Sequence, residues 1–180
     1  MTAIKARALD AAIELLGTEG LRALTHARVD DRAALPRGST SNHFRTRAAL
    51  LSGVVEWIVQ KELPAVGAMA EPKNTDQFVD EMVAMIDYTT GPNRTLTAAR
   101  LTVFGEAVHN AEISAAVSRG RAGLELALTG ALARLGARDP LTAARALMAC
   151  AEGIILHRMA RHDDADARPV IDVVVRGALA

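Results

Sequence analysis

The pair Leu35-Pro36 constrains this chain more tightly than any other two residues. The residue before a proline is driven out of the α region, and proline itself suits the first turn of a new helix. A helix that reaches position 35 must stop there, and a second one starts at once. Upstream, Thr25 is a good N-cap, because its hydroxyl can accept from a free backbone N–H of the first turn. Val29, Ala33 and Ala34 then give the first short helix one apolar face. Downstream, RGSTSNHF makes the second helix, Arg37 to Phe44, and Thr46 caps the start of a third.

The composition of Arg37–Phe44 is odd for a helix whose task is packing. Ser, Thr and Asn are mediocre helix formers, and Gly38 costs up to about 1 kcal/mol relative to alanine. Only Phe44 is a clear core anchor. Such a segment suits a helix pressed against another polar surface. Gly38 lets the backbone come close, while Arg37, Ser39, Thr40, Asn42 and His43 offer donors and acceptors to phosphates or base edges. On composition alone, a solvated surface helix fits as well. The formal net charge of zero conceals an uneven distribution. Residues 1–50 hold eight Lys/Arg against five Asp/Glu, a balance of +3, and residues 51–180 hold thirteen against sixteen, a balance of −3. A basic head on a slightly acidic body is the footprint of a local DNA contact.

The segment resembles the DNA-binding domain of the tetracycline repressor (TetR) family. The family pattern runs Thr, three residues, Ile/Val-Ala, then Ala-Gly-Val-Ser, one residue, Gly-Thr-Leu-Tyr-Tyr-His-Phe, two residues, Lys, two residues, Leu. Here Thr25, Val29, Ala33, Gly38, His43, Phe44 and Leu50 fall in register, with Ser39 and Arg47 as conservative replacements. ALDAAIELLGTEGLRALT upstream resembles the family's first helix and following turn. Three departures stand out. Asp30 replaces the small residue after Val29; Ala34-Leu35-Pro36 replaces Gly-Val-Ser, which removes the serine cap of the second helix; and Ser41-Asn42 replace the two tyrosines.

The remaining chain reads as helices separated by glycine and proline punctuation. Ile4, Ala8, Ala11, Leu15 and Leu16 form the stripe of a first helix over 4–17, closed by Glu19-Gly20; its Lys5 and Arg7 are either phosphate contacts or solvated charges. The helix starting after Thr46 runs towards Met69, with Pro64 expected to kink it or end it near Glu62. It offers a path for a shift from one domain to the other. A turn cluster at 70–74 precedes a helix from Thr75 with Phe78, Val79, Met82, Met85 and Ile86 on one face. Helices follow over 94–109 and 113–135, the latter with a break expected at Gly120. Asp139-Pro140 starts the next by cap and first-position proline. The valines of the last segment favour a strand by propensity, but no other segment offers a partner strand, so a helix starting near Pro169 is expected. The expected fold is all-α with about nine helices: a three-helix, helix-turn-helix DNA-binding domain over 1–50, and a helical effector-binding and dimerisation domain over 51–180.

The last two helices are apolar on too many sides for a monomer, with Leu147, Met148, Ile154, Ile155 and Leu156 on one and Val170, Ile171, Val173, Val174 and Val175 on the other. A two-fold homodimer through them is expected, with Gly153 and Gly177 allowing close approach. Between residues 57 and 104 lie Trp57, Phe78, Tyr88 and Phe104, with Met69, Met82 and Met85 nearby. Such side chains suit an apolar effector pocket, with Tyr88 and His109 for polar contacts; a plain core stripe is the other reading.

The resemblance implies a transcriptional regulator, most simply a bacterial repressor, whose dimer binds double-stranded DNA. Arg37, Gly38, Ser39, Thr40, Ser41, Asn42 and His43 are the expected base or phosphate contacts, and Thr25, His26, Arg28 and Arg47 the backbone contacts. A small-molecule effector would change the spacing of the heads. The alternative is a helical dimer that binds only protein or ligand, its DNA head degenerate through the lost cap and missing tyrosines. No Gly-rich phosphate loop, nucleophile elbow or H-E-x-x-H motif is present, so neither an enzyme nor a cofactor is expected. His157 and His162 are five residues apart, off the spacing that puts two metal ligands on one helix face. No apolar run reaches the ~18 residues of a membrane span. The single Cys150, expected to be inert, and an N-terminus without a signal-peptide hydrophobic region agree with a cytoplasmic protein. The alanine, arginine and glycine usage fits a GC-rich bacterial genome.

Overall fold

The computed structural model describes residues 1–68 and 71–180, with the backbone alone at 63–68. Every regular element among them is helical. Helix α1 (Ala3–Glu19) leads through a 3-10 turn at Leu21–Ala23 to α2 (His26–Arg32) and α3 (Ser39–His43). There follow α4 (Arg47–Ala68), α5 (Thr75–Thr90), α6 (Arg94–Ala107), α7 (Ala111–Arg134), α8 (Pro140–Arg161) and α9 (Arg168–Leu179).

The helix starts follow from local capping. Thr25 Oγ1 accepts from Arg28 N at 3.3 Å, Thr46 Oγ1 from Ala49 N at 3.0 Å, and Asn74 Oδ1 from Gln77 N at 2.8 Å. Asp139 Oδ1 accepts from Thr142 N at 3.1 Å, with Pro140 in the first turn of α8. The C-terminal segment is a helix, as expected; Asp166 Oδ1 accepts from Arg168 N at 2.9 Å at its start.

Some boundaries differ from the sequence pattern. Helix α4 does not stop near Glu62 but continues past Pro64 to Ala68. Helix α7 is unbroken at Gly120, where an added Cβ would collide with Val59. The glycine there is a packing requirement and not a break. The second short helix is five residues and not eight, because Gly38 sits at φ 88° and helical geometry begins only at Ser39. Met69 and Ala70, expected near the end of α4 and in the following turn, lie outside the described residues.

The described chain divides into two compact units, residues 1–61 with 94–120 and residues 62–93 with 121–180. In the first, α1 packs along α6, and Gly17 makes this possible: an added Cβ would overlap the Thr95 carbonyl. Leu15, Leu16, Leu24, Val29, Phe44 and Leu50 are the heart of its core. In the second, α5, α8 and α9 pack around Phe78, Met82, Ile86, Leu147 and Ile171. Compactness thus groups α6 and the first part of α7 with the N-terminal helices.

Candidate nucleic-acid interface

Helices α2 and α3 carry the residues singled out from the sequence, and the structure sorts them into two sets. The inward set is bonded within the protein. Asp30 is 1 % exposed. Its Oδ2 accepts from Gly38 N at 2.8 Å, and its Oδ1 accepts from Thr40 N at 2.8 Å and Thr40 Oγ1 at 2.6 Å. Burial alone would push this carboxyl up, but the bonds from the Thr40 hydroxyl and the Thr40 and Gly38 amides outweigh it and hold Asp30 below its ordinary value. The second helix has therefore not lost its side-chain cap: the missing serine is replaced by an acid reaching across from α2.

Thr40 is the clearest correction among the expected DNA contacts. It is fully buried and its hydroxyl donates to Asp30, so it presents nothing to a ligand. His26 is half-buried with its ring Nε2 2.6 Å from the Phe44 carbonyl. Since a carbonyl only accepts, that nitrogen carries the proton. Arg28 pairs with Glu19, and Arg32 reaches Glu14 at 2.8 Å and Glu19 at 2.6 Å. The Arg28 and Arg32 guanidinium groups hold the exposed Glu19 carboxyl below its ordinary value. Arg47 Nε and Nη2 donate to the Leu24 and Leu21 carbonyls at 3.2 and 2.7 Å. Lys5 stands over the Phe44 ring, 5.3 Å from its centroid, and Arg7 Nη2 donates to Ala33 O at 2.6 Å and Ala34 O at 3.1 Å. Both side chains are engaged within the head and not merely solvated.

The outward set is what remains. Arg37, Asn42 and His43 are exposed and, among the described residues, have no side-chain partner. Ser41 Oγ donates to Gly38 O at 2.9 Å from an exposed position, and Ser39 Oγ to Pro36 O at 2.6 Å from a half-buried one. Exposed Thr25 spends its hydroxyl on the cap of α2. Arg45, passed over in the sequence, is also exposed and unpartnered among the described residues, directly after α3. Its place in the Arg-Thr-Arg run was the available signal. One short surface thus offers two guanidinium groups, an amide, an imidazole and a hydroxyl on an electropositive head.

The expected effector contacts are less coherent. Phe78 and Met82 are 0 and 1 % exposed and belong to the core of the second unit, because α5 turns that face towards α8 and α9. They leave no surface for a ligand. Met85 is half-buried and Tyr88 exposed in the same unit. Trp57, Phe104 and His109 belong to the first unit; Trp57 Nε1 donates to Asp10 at 2.8 Å, Phe104 is half-buried and His109 exposed. Cys150 is half-buried, and burial pushes its thiol up. Among the described residues, no group of three or more His, Cys, Asp or Glu is placed to hold a metal ion, and no helix is long and apolar enough to cross a membrane.

Comparison with known proteins gives the arrangement a context. Residues 8–54 match the family model described as bacterial regulatory proteins, tetR family, and residues 73–180 match the tetracyclin repressor-like C-terminal domain. No curated protein matches. Among solved structures, a transcriptional regulator from Rhodococcus sp. Rha1 superposes with a TM-score of 0.83 at 16 % identity, covering 99 % of this chain and 96 % of that one. A TetR-family member from Streptomyces coelicolor A3 gives 0.78 at 24 % identity, covering 97 and 98 %. The multidrug binding protein EbrR, complexed with ethidium, gives 0.73 at 25 % identity, covering 96 and 98 %.

Proposed function

The chain belongs to the tetR family of bacterial regulatory proteins, and on that premise we propose that it is a homodimeric repressor, released from a palindromic operator by a small-molecule effector. The observation that carries the DNA reading is the sorting of α2 and α3: the inward polar groups are saturated within the protein, while Arg37, Asn42 and His43 stay open on the outside. In this reading α3 enters the major groove. Arg37, Ser41, Asn42 and His43 reach base edges or adjacent phosphates; Arg45 reaches the phosphate backbone; Arg28 and Arg47, bonded within the head, fix the frame behind it; and Thr25, Gly38 and Ser39 set the approach. The presence of a cap on α3 weighs against a degenerate head that binds only protein or ligand. The test is Arg37→Ala with Asn42→Ala in one chain. The double variant loses binding to the DNA upstream of its own gene and keeps its melting temperature; unchanged affinity in a folded double variant sinks the reading.

Dimerisation through α8 and α9 is supported by what their outer faces display. Leu156, Val170 and Val173 are 47, 47 and 72 % exposed. A Cβ at Gly153 or Gly177 would meet nothing, and a groove of about 340 Å³ lined by Cys150, Gly153, Ile154, His157 and Val170 lies on the same helices. An exposed apolar face of this kind marks an association surface. Paired heads then read half-sites one helical turn apart, about 34–36 Å, or a multiple of it. Sedimentation of Val173→Glu checks this: the wild type runs as a dimer and the variant as a monomer, whereas a dimeric variant removes this interface from the proposal. The effector is supported by EbrR, a structural relative complexed with ethidium and with imidazole. Ligand in the helical body changes the spacing of the heads by favouring one of two spacings. Titration calorimetry with ethidium, without DNA, gives saturable heat in this account; no heat across a panel of cationic aromatic compounds removes that class of effector.

A further inference from the structure

We propose that His26 and Asp30, four residues apart on α2, set DNA affinity in this chain without touching DNA, by holding the two ends of α3 in place before DNA arrives. The inference rests on the assignment of α3 as the reading helix. Helix α3 has five residues, Ser39–His43, with no aliphatic side chain. Isolated helices shorter than ~12–15 residues are marginal in water even with good helix formers. Something outside α3 must hold it.

That support comes from one face of one neighbour. Residues four apart on a helix lie one above the other on the same face, so His26 and Asp30 form a two-pronged hook. At the start of α3, Asp30 takes the Gly38 and Thr40 amides and the Thr40 hydroxyl, all within 2.8 Å. At its end, the His26 ring donates to the Phe44 carbonyl at 2.6 Å. These are first-turn donors and a last-turn acceptor, the groups a helix cannot satisfy by itself. Every polar atom of the Asp30 carboxylate is used, and it has no exposed surface left for any other partner. The prongs spend the inward side of α3 and leave Asn42 and His43 on the helix, and Arg37 just before it, exposed.

This placement also joins two sequence departures that otherwise look unrelated. Pro36 removes the residue that would cap α3 from within its own turn, and Asp30 brings a carboxylate to the same amides from α2. The cap has moved from the turn to the neighbouring helix. Anchoring to α2 fixes the orientation of α3 as well as its helicity. A clamped α3 needs no ordering on binding, so the apparent affinity is the intrinsic one. If release of the clamp leaves α3 correctly placed one time in thirty, apparent affinity drops about 30-fold.

The test uses the full chain and a labelled duplex enriched from a random pool by the unmodified protein. Asp30→Asn keeps the shape but turns one acceptor into a donor facing another donor. It is expected to bind the duplex about 30-fold more weakly at a temperature where the chain is folded. Amide exchange at Thr40 and Phe44 should speed up while Leu15 and Leu50 stay protected. Adding Pro36→Ser to Asp30→Asn returns a hydroxyl acceptor to the turn and recovers part of the affinity. His26→Phe, which removes the other prong, weakens binding about 10-fold by the same linkage. A purely structural role lowers the melting temperature and leaves affinity below the melt unchanged. Should Asp30→Asn fail to fold, Thr40→Val removes only the hydroxyl bond and is expected to cost about 3-fold. Unchanged affinity in the folded variants overturns the clamp, and so does weakened binding with the Thr40 and Phe44 amides still protected. Arg37→Ala with Asn42→Ala separates the two levels. If that variant loses DNA while the clamp variants keep it, the reading helix stands and the clamp falls. If it keeps DNA, α3 is not the reading helix.

Discussion

Helices α3 and α9 are both short and both awkward as sequence, yet opposite forces keep them in place. Helix α9 is held by oil: Ile171 and Val175 are 0 and 1 % exposed against α5 and α8, although its valines are poor helix formers. Helix α3 is held by hydrogen bonds that the His26 ring donates and the Asp30 carboxylate accepts, with Phe44 just beyond its end as the one large apolar anchor. Apolar burial is non-directional and roughly proportional to area, so α9 can keep Val173 exposed and turn an apolar face outward. A hydrogen-bond clamp is directional and lives or dies by single atoms, which frees the outer surface of α3 for polar recognition. The same contrast predicts which treatments damage which helix.

The largest effect should come from Ile171→Ala. Truncating a fully buried isoleucine costs about 2–5 kcal/mol, read by urea denaturation, with amide exchange in α3 unaltered. A loss below about 1 kcal/mol would break the comparison from the α9 side, because burial could not then be what holds it. Next is Asp30→Ala. It strands the Gly38 and Thr40 amides and the Thr40 hydroxyl, and about 2 kcal/mol is expected from unsatisfied buried donors.

The two losses should differ in their pH dependence. Asp30 sits below its ordinary value when folded: burial raises it, and the bonds from Thr40 and Gly38 lower it further. Its stabilising contribution is therefore fully present above the ordinary carboxylate value of about 4, and is lost as pH falls through the lower folded value. Urea denaturation from neutral pH downwards should show the gap between wild type and Asp30→Ala closing in that acid window. The gap for Ile171→Ala should stay constant. A pH-independent Asp30 gap would mean that the carboxylate charge plays no part. The smallest effect expected is a gain. Ala34 lies at φ 49°, a left-handed conformation that costs a non-glycine residue, and Ala34→Gly should stabilise by about 0.5–1 kcal/mol after the extra chain entropy of glycine is subtracted.

The parts of this architecture legible in sequence were those set by neighbouring residues. Thr25, Thr46 and Asp139 cap the helices they precede, Leu35-Pro36 separates two short helices, and Asp166 with Pro169 starts the C-terminal helix despite its valines. What stayed hidden depends on residues distant in sequence. The donors of Asp30 lie eight and ten positions away, so Asp30 and Pro36 looked like two separate departures from the family pattern. Helix α3 is too short for a hydrophobic period to show that Thr40 faces inward. The sequence pattern allows a kink or an end at Pro64 and a break at Gly120, whereas α4 continues past the one and α7 past the other. The aromatic cluster between 57 and 104 looked continuous in sequence, but its members are divided between two units, and Phe78 and Met82 are core.

The most direct test of the central claim, that α3 reads bases from a clamped head, is a binding ratio. The purified chain is titrated against the DNA upstream of its own gene and against a scrambled duplex, across a salt series. Phosphate contacts make both affinities fall with salt, so only the ratio reports base reading. A ratio of about 10³ or more is expected. A ratio near one at every salt concentration would contradict it.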